Sequence, residues 1–469
     1  MNTWLLAVVA AAAAVGIVAA LAASADPSPG PNPSPPVTDN NNDDTVPEDP
    51  APVNNIPDSS SGSPDPAPPA PVIVDNNGDD NSSGQAPLPV VDDDIFEAIP
   101  DLDLPQIRDP SLKLEMVVEG LSEPTSMAFV NERNLLVLQK NDGSVMLVVN
   151  GSLQQESLAT FEVETSSERG LLGIAVNDKD VFIYATENDG GGEVRHRVYR
   201  FVWQDGGGGS LVDKTMILDL PGTPGPNHDG GKMAIGSDGM LYIVIGDLNR
   251  DGTLQNYKDG PAPDDTSVIL KVDRDGRPMA NILAAEGKAA AYYAYGVRNS
   301  FGLAFDPVTD ALWDTENGPD GYDEINVVLP GFNSGWERLM GPMSRGSITE
   351  ADLVVLEGSH YADPAFSWRS SVGVTDIAFA GLPGEYENNI FAGDINNGQL
   401  YYFTVNSERN GLILAGGLED KVADGGEVDA VTFGTGFGGI TDIETGPDGT
   451  LFVLSYGDGS IYRISPPAQ

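Results

Sequence analysis

The chain has no cysteine among its 469 residues. Disulfides, thiolate metal sites and cysteine nucleophiles are therefore excluded. Basic residues are few: 24 Lys and Arg stand against 71 Asp and Glu, and none of the bases precedes Arg108. With a formal net charge of −47, the chain repels DNA, RNA and anionic lipid headgroups, so nucleic acid is excluded as a partner. Acidity of this kind serves solubility first, and it also attracts hard cations such as Ca²⁺. Histidine is limited to three residues. No long amphipathic helix is legible anywhere in the chain.

The scarcity of bases divides the chain. Residues 26–107 carry 17 of the acids and no base, and they are rich in Pro, Asp, Asn and Ser. Such a tract cannot bury enough apolar surface to offset its ordering entropy, so 26–108 is expected to be a disordered, extended spacer. The apolar residues between 95 and 104 are candidates for docking on the body. Residues 4–22 form an apolar run rich in Ala and Val, followed by Ala23-Ser24-Ala25, a small-residue cleavage pattern. The usual basic residues ahead of the run are missing, and its length nearly spans a bilayer. Residues 1–25 are therefore expected to act as a signal peptide or a membrane anchor, placing the body outside the cytoplasm, secreted or tethered through 4–22.

The body, 109–467, is a series of short apolar runs separated by Gly, Asp and Asn turns, an all-β pattern. Six times a strand-like run is followed by a second and a third. The inner runs are 126–130, 171–176, 232–235, 301–305, 374–379 and 440–445. The second runs are 135–139, 181–186, 241–246, 311–315, 389–393 and 451–455. The third runs are 144–149, 197–202, 268–272, 324–328, 399–405 and 460–464. Sixfold repetition of four-stranded units predicts a six-bladed β-propeller. The last unit lacks a fourth strand after Ile464, and the run 112–118 is expected to supply it and close the ring.

Two motifs carry chemistry. The first, from 227 to 247, reads NHDGGKMAIGSDGMLYIVIGD. His228 lies in a glycine turn before two strand-like runs, and the bent backbone is expected to expose its imidazole to a substrate. Imidazole suits proton removal near neutral pH; a lone histidine that merely bonds a turn is the plainer alternative. The second motif, from 295 to 336, holds Arg298-Asn299, Gly318-Pro319, Asp323-Glu324 and Asn333-Ser334-Gly335. A cation beside an amide can grip a carbonyl or an anion, and carboxylate with turn carbonyls is a plausible Ca²⁺ shell.

Taken in order, His-x-Gly-Gly, Gly-x-Arg-Asn, Glu-x-Gly-Pro-x-Gly-x-Asp-Glu-Ile-Asn and Gly-x-Asn-x-Gly-Trp resemble the soluble quinoprotein glucose/sorbosone dehydrogenases, also called aldose sugar dehydrogenases. The resemblance covers about 121–464 and implies a six-bladed propeller. It implies PQQ-dependent oxidation of an aldose sugar or related alcohol, with an external electron acceptor. His228 matches the general base that takes the proton from the anomeric hydroxyl while hydride passes to pyrroloquinoline quinone (PQQ). Arg298 and Asn299 match residues that hold the quinone and its reacting carbonyl. Gly318 and Pro319 match carbonyl donors to the quinone's Ca²⁺; Glu324 and Ser334, through its carbonyl, match ligands of a second, structural Ca²⁺.

The chain departs from the family where the quinone's three carboxylates are gripped. Glu168 stands where the family has Gln, Asn396 where it has Lys, and Gly439 and Thr441 where it has Arg. Each lost charge-assisted hydrogen bond is worth about 1.5–3 kcal/mol. Arg169, Lys232 and Arg369 are the available replacements. The alternative reading is a non-catalytic, Ca²⁺-stabilised propeller that binds a carbohydrate or a protein. A Ca²⁺-dependent lactonase is more distant, since its inward-facing carboxylate and Asn cage is not evident.

Overall fold

The computed structural model describes residues 96–99, 104–283 and 287–467. The apolar N-terminal run and most of the acidic spacer lie outside the described residues. Among the described residues, no helix is long and apolar enough to cross a membrane, and helical structure is confined to short 3₁₀ turns.

The fold is all-β and propeller-like. The described residues form six sheets. In chain order they begin with Pro124–Asn131, Leu171–Asn177, Met233–Ile235, Ser300–Phe305, Val374–Phe379 and Ile440–Thr445. Each first strand pairs antiparallel with the next strand in the chain, and that strand with a third. The first strand of every sheet packs beside the first strand of the following sheet, and Ile440–Thr445 packs beside Pro124–Asn131. The sixth sheet takes its fourth strand from the start of the body: Lys113–Val118 pairs antiparallel with Ser460–Ser465. This is the closure expected from the missing last strand.

The second strands are buried on both faces. In Asn134–Gln139, the residues Leu135, Leu136, Val137 and Leu138 are all fully buried. A strand covered on both sides reads as a continuous apolar run rather than an alternating one. The reason is the packing of sheet on sheet. Leu136, Leu138 and Val145 of the first sheet meet Ile174, Val181 and Phe201 of the second. Val374, Ile390 and Tyr401 of the fifth meet Trp313, Ile325 and Phe366 of the fourth. Turn glycines permit the close approach of neighbouring loops. Gly143 has φ +69°, and a Cβ there would lie 2.2 Å from the Phe161 carbonyl oxygen.

The packed body starts ahead of the boundary expected at 109. Phe96 is buried against Phe129 and Phe452, with ring centroids 6.1 and 5.2 Å away. Ile99 bridges Met116, and Gln106–Ile107 adds an edge strand to Thr432–Thr435. The apolar side chains in this part of the acidic tract have a surface to bury, which offsets the cost of ordering them.

Candidate active site

His228 sits at φ +64°, in the left-handed region. Gly230 and Gly231 follow at φ +65° and +104°. A Cβ on Gly231 would lie 2.8 Å from Leu172 Cβ, and one on Gly230 would lie 2.8 Å from the Val244 carbonyl oxygen. The turn therefore sinks between the second and third sheets, and only glycine fits there. This corrects the expectation of an exposed imidazole: His228 is 8% exposed. The same glycines that bend the backbone let its neighbours close over it.

Burial gives the imidazole fixed partners. Nδ1 lies 2.6 Å from Asp247 Oδ1. Asp247 also accepts the Asn249 backbone N–H at 2.7 Å and the Trp336 indole N–H at 2.5 Å. With Nδ1–H donating to the carboxylate, Nε2 keeps its lone pair. This is the tautomer a general base needs, and the carboxylate stabilises the imidazolium that forms. Arg298 lies over the Trp336 ring at 5.2 Å and donates from Nη1 to the Asn317 carbonyl at 2.9 Å. Its backbone carbonyl accepts the Asp247 N–H at 2.9 Å. Arg298, Trp336, Asp247 and His228 thus form one connected set.

Glu168 and Asn299 complete the cluster. Glu168 Oε2 accepts the His228 backbone N–H at 2.6 Å, and Asn299 Nδ2 donates to both Glu168 oxygens at 3.2 and 3.1 Å. Desolvation, joined by the charge of Asp229, pushes the Glu168 carboxyl up, and its donors oppose this. Two buried polar atoms here have no partner: Arg298 Nε, a donor, and Asn299 Oδ1, an acceptor. Buried polar groups are normally satisfied, so these two are candidate contacts for a ligand. A donor suits a carbonyl oxygen and an acceptor suits a hydroxyl. A cavity of about 320 Å³ is lined by Pro224, Asn249, Arg250, Thr253, Gln255 and Asp264; it adjoins the set only through Asn249, whose N–H bonds Asp247.

The other residues expected at the site are placed elsewhere or otherwise employed. Thr441 donates its hydroxyl to the Pro124 carbonyl at 2.8 Å. Asn396 is exposed, and its amide lies against Gly373. Neither bonds to a member of the His228 cluster. Asp323 is consumed by backbone donors: Gly318 N at 3.0 Å and Val372, Gly373 and Val374 N at 2.8, 2.7 and 3.3 Å.

A family profile described as Glucose / Sorbosone dehydrogenase matches residues 121–463. The chain belongs to the glucose/sorbosone dehydrogenase family. Among its relatives is the aldose sugar dehydrogenase YliI of Escherichia coli K12, 29% identical over 259 residues, 54% of this chain and 64% of the relative. Another is the quinoprotein glucose dehydrogenase B of Acinetobacter calcoaceticus, 23% identical over 302 residues, 57% of this chain and 58% of the relative. The chain thus spans under two thirds of the length of each. Among solved structures, a glucose dehydrogenase-type oxidoreductase from Thermus thermophilus is 28% identical with a TM-score of 0.61, covering 75% of this chain and 99% of that one. The PQQ-bound aldose sugar dehydrogenase of Streptomyces coelicolor shares the fold at 23% identity and a TM-score of 0.57, covering 77% and 99%.

In this glucose/sorbosone dehydrogenase family member, the three cations considered as replacements for the carboxylate grip are all engaged. Lys232 Nζ lies 2.9 Å from Asp376 and 2.5 Å from Asp442, with all three side chains buried. Asp442 also accepts from Ser126 at 3.1 Å, so this ion triad ties the first, fifth and sixth sheets to the residue just before the third. Arg169 bonds Glu164 at 2.9 Å and the Gly222 carbonyl at 2.6 Å. Arg369 pairs with Asp424 at 3.0 Å, its side chain 57% exposed. Each already has a carboxylate partner.

Of the residues expected to hold Ca²⁺, Glu324 and Ser334 both lie beside Glu316. Glu324 is buried directly across the strand pair from Glu316. Ser334 Oγ donates to Glu316 Oε2 at 2.5 Å. Burial pushes Glu316 up to about 7, against its donors Ser334 and Arg298. Burial also raises Glu324, with Glu316 adding to it. Asp314, on the same face of the strand as Glu316, is fully buried, and burial followed by the Glu316 charge holds its carboxyl well above the usual carboxylate range. Among the described residues, no group of three or more His, Asp or Glu could hold a metal ion. No hydrogen bond ties Gly318 or Pro319 to Glu324 or Ser334.

Sequence reading missed four residues here. Asp247, Trp336 and Glu316 all fall inside the two motifs, yet their roles depend on contacts between segments distant in the chain. His196 gave no signal at all: it is fully buried, 3.0 Å from Asp229 and 3.1 Å from Thr186 Oγ1.

Proposed function

We propose that this chain oxidises an aldose sugar or a related alcohol outside the cytoplasm, with His228 removing the hydroxyl proton. The observation that carries the reading is the 2.6 Å bond from His228 Nδ1 to Asp247 Oδ1, which leaves Nε2 as the acceptor. Asp247 orients the ring and balances the imidazolium charge; Trp336 and Asn249 hold Asp247. Asn299 Oδ1 is placed to accept from a substrate hydroxyl, and Arg298 Nε to donate to a carbonyl oxygen. The cavity beside Asn249 has the volume to hold a monosaccharide. The six sheets are read as the blades of one closed six-bladed propeller, with the site at one end of the ring of inner strands.

PQQ, the cofactor that the quinoprotein relatives point to, would supply the hydride acceptor, with an external acceptor reoxidising it. The residues present fit it at the reacting end, through Arg298 and Asn299. They do not fit its three carboxylates, since Asn396 and Thr441 bring no charge and Arg169, Lys232 and Arg369 are paired. No step here depends on how those carboxylates are held. For Ca²⁺ the donor chemistry fits better: Glu316 and Glu324 are opposed and buried, with the hydroxyl of Ser334 on Glu316. Oxygen donors of this kind suit a hard cation. Gly318 and Pro319 remain candidate carbonyl donors.

A second reading, a Ca²⁺-stabilised propeller that binds a carbohydrate or a protein without catalysis, is favoured by the paired state of the cations. Dye reduction by the full chain with Ca²⁺ and excess quinone decides between them. Aldose-dependent turnover supports the dehydrogenase, and aldose binding without turnover supports the binder. Export is tested by fractionating the native cell; intact protein in the cytosol would contradict it.

A further inference from the structure

We infer that the His228 site discriminates against negatively charged ligands: it takes uncharged or cationic sugars and holds a polycarboxylate cofactor only weakly. The inference deepens the reading above by naming the class of ligand.

Four acidic side chains lie at the site, three of them through named contacts. Glu168 bonds the His228 and Asn299 nitrogens. Asp247 bonds His228. Glu316 bonds the Arg298 backbone N–H at 2.7 Å, and Asp229 follows His228 in the turn. Among the described residues, two guanidiniums face them. Arg169 is spent on Glu164, the Gly222 carbonyl and, at 3.8 Å, Asp229. Arg298 donates from Nη1 to Asn317 and lies over Trp336, and its buried Nε has no partner. Lys140, the next base along the wall, donates to the Ser167 carbonyl at 2.8 Å and to Asn141 at 3.1 Å. What these cations leave unspent is chiefly the Nε side of two guanidiniums whose charge is already surrounded by acids. An anion entering here gains the open side of one guanidinium, Arg298, and meets Glu168 and Asp247. A neutral polyol meets the free acceptor Asn299 Oδ1 and the Arg298 N–H without that repulsion, and an ammonium group gains from the carboxylates. Each charge-assisted contact missing from an anion's grip corresponds to roughly 10- to 100-fold in affinity.

The test is binding, measured by calorimetry on the full chain with Ca²⁺ present. Its arms are PQQ, glucose, glucosamine and glucuronate. Glucosamine and glucose are expected to bind at least tenfold more tightly than glucuronate. For PQQ, raising the salt from about 50 to about 500 mM should strengthen binding, because salt screens repulsion; a cation-gripped anion shows the opposite sign. Glu168→Gln, which removes a charge and keeps a hydrogen-bonding amide, should raise the affinity for PQQ about tenfold relative to that for glucose. The salt series uses the unaltered protein and stands even if the variant folds poorly. PQQ affinity that falls with salt, glucuronate bound as tightly as glucose, or no binding in any arm would each overturn the inference. Turnover is not a readout: a chain that shows this selectivity yet does not oxidise sugar contradicts the proposed function and leaves this inference standing.

Discussion

Replacing Asp247 with Asn tests how the base is held. The carboxylate accepts three hydrogen bonds: His228 Nδ1 at 2.6 Å on one oxygen, shared with Asn249 N at 2.7 Å, and Trp336 Nε1 at 2.5 Å on the other. An amide of the same shape offers one acceptor oxygen and one NH₂. Whichever way it turns, the NH₂ faces either the imidazole or the indole N–H. If it faces the imidazole, Nδ1 must become the acceptor and Nε2 carries the proton, which removes the base. If it faces the indole, a donor meets a donor in a half-buried site. In both cases the charge-assisted bond to the imidazolium is lost, at about 1.5–3 kcal/mol. That is roughly 10- to 150-fold in kcat, with KM changing little because Asp247 is a positioning residue. The assay is dye reduction with an aldose, paired with ¹⁵N NMR of the His228 ring. The parent should show a protonated Nδ1 and a bare Nε2, and the variant a mixed or reversed tautomer. An unchanged tautomer together with turnover within twofold of the parent would refute the role given to Asp247.

Other perturbations follow from the same contacts. Lys232→Met leaves Asp376 and Asp442 buried without their cation, and loss of about 3–5 kcal/mol is expected from urea unfolding; adding Asp442→Asn to it should recover part of that loss. Chelation of Ca²⁺ should lower the melting temperature of the parent, since a metal that binds only the folded state contributes roughly 2.7 kcal/mol at a hundredfold excess over its Kd. Glu324→Gln should shrink that difference, and superimposable melts in Ca²⁺ and in chelator would remove the site. Asp394 is fully buried and burial pushes its pKa up to about 6 from 3.8. Its folded-state value lies above the unfolded one, so its contribution is full below about pH 4 and is lost as the pH rises through 6. The size is roughly 3 kcal/mol. The Asp394→Asn variant should lack this slope when stability is measured from pH 4 to 7.

The strands were legible because each is a short apolar run between Gly and Asp turns. The fourth strand of the last sheet was legible because the chain ended one strand short and Lys113–Val118 stood unused at the start. The left-handed turn at His228 could be read from two glycines, but its depth could not. Burial there depends on Leu172, Tyr184 and Val244, which arrive from other strands. Lys232 looked like a spare cation in sequence. Its acids lie 144 and 210 residues away, and only the ring of inner strands brings the three together. Asp314, Glu316 and Glu324 sit in polar stretches that read like ordinary half-solvated strands, and the sheets packed on either side make them a buried group. Phe96 and Ile99 were hidden by the acidic composition around them.

The central claim is that His228 is the base of a sugar-oxidising site. Its most direct test is the steady-state rate of aldose-dependent dye reduction by the parent and by His228→Gln, both supplied with Ca²⁺ and excess quinone. Circular dichroism would confirm that both fold, since the side chain is buried. Gln keeps a polar group of similar size without the proton acceptor, and loss of a general base costs about 10²–10⁴ in rate. The account predicts a fall of that size in the variant. Equal rates in the two proteins, or no turnover in the parent, would contradict it.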